Sequence, residues 1–291
     1  MVSLKYYLAA ILATPALAQI IYATSYNDHS VTTLKFVGNT LSTLDKSYDC
    51  GSEPTWLTLD QYNRVLYCLN EGWGGSASLT SYRTNATGGL QLLDILPTLK
   101  SPVASTLYGQ YNSGLAVAFY DTGAFATYKV GDPSNLELRQ QEQYTLPAPG
   151  PVPSRQDAPH LHDAILDPTG RYIVVPDLGS DLLRVYLVAP DKSTTQVTTI
   201  AAVPGSGPRH GAFAVLGGKT YFYNVNELSN TITAYSVTYQ SASLVFTRIS
   251  DFSTHGPGGS VPAGTKSAEL VVSVRSSLPS LPQFTCLTGP Y

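Results

Sequence analysis

A unit that recurs about every 50 residues constrains this chain more than any other feature. The clearest copy is Pro159 to Val188, PHLHDAILDPTGRYIVVPDLGSDLLRVYLV. In it HDAILD, YIVVPDL and LLRVYLV are short strand-like runs joined by turns at DPTG and GSD. A near copy occupies Pro208 to Val237, PRHGAFAVLGGKTYFYNVNELSNTITAYSV. The turn before each tyrosine-rich run serves as a register mark, at Arg64, Ser113, Arg171 and Lys219. Each mark is followed by a run, a turn at Gly, Asp or Asn, and a second run ending in tyrosine. The opening IIYATSYNDHSVTTLKF has the character of a second and third strand with no first strand ahead of it.

Four strands in a unit of this length predict an all-β chain, a β-propeller of four-stranded blades. No sustained 3.6-residue periodicity supports a helical solenoid. A long β-sandwich is the competing architecture, but it gives no reason for turns and tyrosines at near-constant intervals. Counted by these units, the chain supplies about five blades and one further first strand.

Residues 1–18 read as an export leader. Lys5 supplies the positive end, Leu12 sits in the apolar stretch, and Ala16-Leu17-Ala18 offers small residues for cleavage before Gln19. A buried N-terminal strand is the alternative. The stretch is too short and too Pro-broken to span a membrane, so a soluble, secreted protein is expected. Only 13% of residues are charged and 20 are tyrosines, a balance suited to a β-rich extracellular protein. A net charge of −3 without a basic run argues against nucleic acid or anionic membrane as a partner. Asn85-Ala86-Thr87 is a glycosylation sequon in a polar turn. Cys50 and Cys68 either bridge neighbouring strands or remain two buried thiols, and Cys286 has no evident partner.

In a propeller blade the first strand lines the channel and the second returns antiparallel to it. Residues at the start of the first strand and the end of the second therefore meet at one mouth. His162 opens a first strand, Arg209 opens the next, and Glu227 closes that blade's second strand. An arginine there would pin a carboxylate bidentately, while Glu or His would move a proton. The plainer reading is that each satisfies a loop carbonyl or a neighbouring charge. Glu71 in NEG and Asp177 in PDLG are placed as equivalents of Glu227, which also allows a turn-capping role for all three. His160 and His162 are spaced to share one strand face, so metal ligation is weighed, but no third ligand is signalled. No nucleophile elbow, P-loop or dinucleotide fingerprint is present.

These motifs resemble the seven-bladed propeller lactonases, a family that includes bacterial 6-phosphogluconolactonase and the fungal carboxymuconate-lactonizing enzyme. The resemblance rests on PHLHDAILDPTGRYIVVPDLGSDLLRVY, on GPRHGAF followed by VNELSNTITAY, and on EPTWLTL followed by YCLNEG. It runs from about Ile20 to Ser273. It implies a catalytic histidine at His162, a general acid/base at Glu227 and substrate binding by Arg209; His160, spaced to share the strand face of His162, and Glu71, placed as the equivalent of Glu227, are taken as substrate-binding on their positions alone. It implies a small lactone or carboxylate as partner, ring opening or its reverse as the reaction, and no metal or organic cofactor. After Ser267 to Ser273 the chain departs from the family pattern and reads VRSSLPSLPQFTCLTGPY. Either the sequence is truncated or the ring is shorter than the family's; the expectation is truncation, with a propeller domain over 19–273 forming an open arc, Glu269 to Ser273 poorly paired, and an irregular tail over 274–291. A non-catalytic binding scaffold and an inactive lactonase fragment are the alternatives to an enzyme.

Overall fold

Strand-forming runs fill the chain from Gln19 onward, and each pairs with its neighbour in sequence. The structure, a computed structural model, describes residues 18–273 and 283–290. Except for Ala18, the expected leader lies outside the described residues. The first sheet has three strands, β1 (Gln19–Ser25), β2 (Ser30–Val37) and β3 (Thr40–Ser47). The second has β4 (Pro54–Asp60), β5 (Val65–Asn70), β6 (Ser78–Thr84) and β7 (Leu90–Pro97). The third has β8 (Pro102–Tyr108), β9 (Gly114–Phe119), β10 (Ala124–Lys129) and β11 (Glu137–Gln143). The fourth has β12 (Ile165–Leu166), β13 (Tyr172–Asp177), β14 (Leu182–Val188) and β15 (Thr194–Ala201). The fifth has β16 (Pro208–Leu216), β17 (Lys219–Asn226), β18 (Thr231–Tyr239) and β19 (Leu244–Ser253), and the sixth pairs β20 (Thr265–Ser273) with β21 (Gln283–Pro290).

Strand order follows chain order in every sheet, and successive sheets touch through strands near the axis: β1 on β4, β4 on β8, β8 on β12, β13 on β16 and β16 on β20. The fold is the expected β-propeller, with four complete four-stranded blades. Every residue of β5, β9 and β13 is buried. These strands are covered on both faces by neighbouring blades, which is why VLYCLN, GLAVAF and YIVVPD read as nearly unbroken apolar runs rather than alternating ones. The outermost strands β3 and β11 stand largely in solvent and are polar. Between each pair of blades lies an apolar layer, such as Val65, Tyr67 and Leu79 against Leu115, Val117 and Phe119. Burial of each large side chain in such a layer contributes about 1.5–3 kcal/mol.

Cys50, in the link from β3 to β4, forms a disulfide with Cys68 of β5, with the Cα atoms 6.0 Å apart. It sits in the layer between the first two blades, beside Val31, Leu66 and Tyr82. Of the two readings left open by the sequence, the structure takes the bridge.

The expectation of an irregular tail and a poorly paired Glu269 to Ser273 is corrected. β20 pairs antiparallel with β21 from Thr265 opposite Pro290 to Ser273 opposite Gln283. The prolines that suggested disorder fall outside the paired run or at its last residue, so they remove no donor from its interior. Residues 274–282 and Tyr291 lie outside the described residues.

Candidate active site

The inner edge of each blade is irregular in the same way. Pro54 pairs with Asn70 and Trp56 with Leu69, so Thr55 is an extra, bulged residue. Val103 is bulged likewise between Pro102 and Ala104, and Arg209 between Pro208 and His210. In the fourth blade Leu161 bridges Asp177 while Ile165 pairs with Val174, which puts the extra residue at His162. A bulge re-aims its side chain, and here it turns Thr55, Val103, His162 and Arg209 towards the axis.

A second set of positions follows the inner hairpins. The backbone N–H of Glu71, Tyr120, Leu178 and Glu227 donates to the carbonyl of Glu53, Ser101, His160 and Gly207, at 3.0, 2.8, 2.8 and 2.8 Å. Leu178 is therefore the equivalent of Glu227 in the fourth blade. The sequence-based placement of Asp177 there is corrected by one residue. Asp177 instead holds its own blade together, accepting from Arg184 Nε and Nη2 at 2.9 and 2.7 Å and from the His160 N–H at 2.9 Å.

All of these positions except Leu178 wall a cavity of about 400 Å³ at one mouth of the channel. Glu227, Arg209, His162 and Glu71 all line it. The carboxylate of Glu227, 1% exposed, is held between two guanidiniums. Arg155 Nη1 lies 2.6 Å from Oε1, and Arg209 Nε lies 2.9 Å from Oε2. Arg209 also donates through Nη1 to the carbonyl of Ala268. Arg155 donates from Nε and Nη2 to the Tyr120 hydroxyl at 3.2 and 3.1 Å. The imidazole of His162 packs edge-on to Tyr120 and 5.1 Å from the ring of His210. Burial, reinforced by the charge of Arg209, holds it well below the usual histidine range, so it is neutral at pH 7. Its Nδ1 makes no hydrogen bond among the described residues.

Glu71 lies in a different setting. Its Oε1 accepts from the Tyr26 hydroxyl at 2.5 Å, and Tyr26 in turn stacks on Trp73 with centroids 5.3 Å apart. Burial raises the Glu71 carboxyl above the usual carboxylate range. On the same cavity, His210 stacks on Trp56 across the axis, and its Nδ1 faces Asp163 and Glu269 at 3.3 and 3.4 Å.

His160 is not brought to the cavity. The bulge at His162 breaks the two-residue alternation that would have put both rings on one face. His160 instead stacks on Tyr120 at 4.2 Å, with Nδ1 against the Tyr120 carbonyl and Nε2 against Asp157, each at 3.0 Å. It braces the wall rather than lining it. Among the described residues no group of three His, Cys, Asp or Glu side chains is arranged to hold a metal ion.

Arg155, Tyr26, Tyr120 and His210 line the cavity without having been singled out from sequence. Tyr26 and Tyr120 follow second strands as Glu71 and Glu227 do, and His210 adjoins Arg209, so the repeat register carried a signal for all three. Arg155 sits in a Pro-rich connection outside the register, and no sequence signal marks it.

The architecture agrees with what known proteins show. The family model described as "Lactonase, 7-bladed beta-propeller" matches residues 20–277. A protein of Arthroderma benhamiae named "Probable 6-phosphogluconolactonase" is 32% identical over 268 residues, covering 91% of this chain and 66% of that protein. The Bacillus subtilis protein named 6-phosphogluconolactonase is 29% identical over 187 residues, covering 62% of this chain and 50% of its own length. This chain thus spans between half and two thirds of these two relatives. Among solved structures, the periplasmic gluconolactonase PpgL of Pseudomonas aeruginosa superposes with a TM-score of 0.73 at 26% identity, covering 87% of this chain and 72% of that one.

Proposed function

This chain belongs to the seven-bladed β-propeller lactonase family, and from that premise we propose that its cavity hydrolyses a small sugar-acid or carboxylate lactone. The observation that carries this is the Glu227 carboxylate paired with both Arg155 and Arg209 on the cavity wall, beside a neutral His162. A carboxylate so placed can take a proton from an attacking water. Guanidinium N–H groups beside it stabilise the charge that develops on the lactone carbonyl oxygen, or pin a substrate carboxylate. Neutral His162 adds no competing charge and leaves Nδ1 to orient substrate or water.

Hydrolysis of glucono-δ-lactone, followed by pH-stat against the uncatalysed rate, tests this. Acceleration by the intact protein is expected, and Glu227→Gln is expected to lower kcat by about 10²–10⁴-fold. Saturable binding without turnover would overturn the enzyme and leave a binding scaffold at the same mouth. We further propose that the protein is secreted, which favours an unphosphorylated substrate; the leader-like residues 1–18 support this. Asn85 is exposed in its turn, with Oδ1 accepting from Thr87 and Gly89. Protein recovered from medium with Gln19 at its N-terminus and a glycan on Asn85 is the expected outcome, and retention in the cell with residues 1–18 intact is the contrary one.

A further inference from the structure

Glu71 and Glu227 occupy the same position in two blades, each donating its backbone N–H to the residue before an inner-strand proline. Both side chains reach the one cavity. Their surroundings are opposed. Glu227 lies between two guanidiniums, whereas none of the ion pairs among the described residues involves Glu71. The groups facing Glu71 are the Tyr26 hydroxyl just after β1, which is hydrogen-bonded to it, with Thr55 of β4 and the indole of Trp73 beside it and the like charge of Asp121 beyond. Arg209 comes near enough to act on Tyr26 but does not pair with Glu71. Two carboxyls lining one cavity, one paired with two guanidiniums and one in a buried site without a cation, divide naturally into base and acid.

We propose that Glu71 is the general acid of the cavity, giving its proton to the ring oxygen that leaves as the lactone opens; this rests on the lactone-opening reading above. The atoms balance without a further reactant. Water oxygen bonds to the carbonyl carbon and its proton passes to the Glu227 carboxylate. The bond from carbonyl carbon to ring oxygen breaks, and that oxygen takes the proton of Glu71. The hydroxy acid departs, and the two carboxyls restore their starting states by proton exchange with solvent.

The test compares leaving groups. Glucono-δ-lactone expels an alkoxide that needs an acid, whereas dihydrocoumarin expels a phenoxide that leaves with little help. Glu71→Gln is expected to lower kcat on the first by about 10²–10⁴-fold and on the second by less than about tenfold, and to remove the basic limb of the kcat/KM profile. Equal losses on both lactones, or none on either, would overturn the assignment. Tyr26→Phe supplies an independent measure should the glutamine variant fail to fold. It removes a hydrogen bond that favours ionised Glu71, so the basic limb should move to higher pH, and a limb that stays in place would overturn the assignment. Should the intact protein hydrolyse neither lactone, the reading of the cavity falls, and carbon-13 titration of the glutamate carboxyls judges Glu71 separately. A Glu71 signal titrating above free glutamate supports a poised acid, and one titrating at or below it removes the assignment.

Discussion

His162 carries a cost that shows in the pH dependence of stability. Its folded pKa lies below the ordinary value of 6.5, so the unfolded chain binds a proton that the folded chain refuses. The stability is fully present above pH 6.5 and is lost as pH falls from there towards the folded value, at about 1.4 kcal/mol per pH unit. Urea melts between pH 7.5 and 5.5 should show that slope, and His162→Gln, which cannot titrate, should lack it. Arg209 makes a different demand. Its Nε pairs with Glu227 while Nη1 reaches the Ala268 carbonyl, two directions that a single ammonium cannot serve. Arg209→Lys keeps the buried charge, so we expect stability within about 1 kcal/mol of the parent and a fall in kcat/KM of about 10–100-fold on a lactone. Arg209, His162 and Glu227 could be read from sequence because the repeat fixes where strands begin and end. His160 misled because alternation along a strand fails at a bulge, and bulges leave no mark in a single sequence.

At the level of elements, the inner strands were legible because burial on both faces demands continuous apolar runs, and β5, β9 and β13 show them. The pairing register was less so. PDLG looks like NEG, but hydrogen bonding places Leu178 and not Asp177 beside Glu71 and Glu227. That turn is tightly built. A Cβ on Gly179 would stand 1.8 Å from the Ala158 carbonyl oxygen and 2.9 Å from the His160 nitrogen. Gly179→Ala must therefore push back the segment that braces Tyr120 and, through it, Arg155. The expected outcome is a loss of about 1–3 kcal/mol in denaturant unfolding together with reduced lactone turnover. A variant as stable and active as the parent would show that the segment yields freely. The pairing of β20 with β21 is hidden for a simpler reason: the prolines of the tail lie outside the ladder or at its last residue, a placement that composition does not reveal.

On the scale of the whole molecule, the channel mouth belongs to no single blade. Tyr26 comes from the first sheet, Glu71 from the second blade and Tyr120 from the third, while Glu227 comes from the fifth and Glu269 from the sixth sheet. The repeat foretold that convergence, but not the contact of Trp56 with His210 across the axis or the entry of Arg155 from a connecting loop. Contacts of that kind follow from how the blades are arranged around the axis, which a one-dimensional period does not contain. Around the axis the backbone repeats while the side chains do not: Glu71, Tyr120, Leu178 and Glu227 stand at successive equivalent positions, and no two neighbours are alike. A planar carbonyl descending the axis meets a carboxylate clamped by cations on one side and a tyrosine-bound carboxyl on the other, so its two faces are chemically distinct. Pseudosymmetry of the chain is thereby converted into handedness at the cavity. Offered a racemic chiral lactone, the protein should consume one enantiomer well before the other, and chiral chromatography of the residual substrate should show the enantiomeric excess rising with conversion.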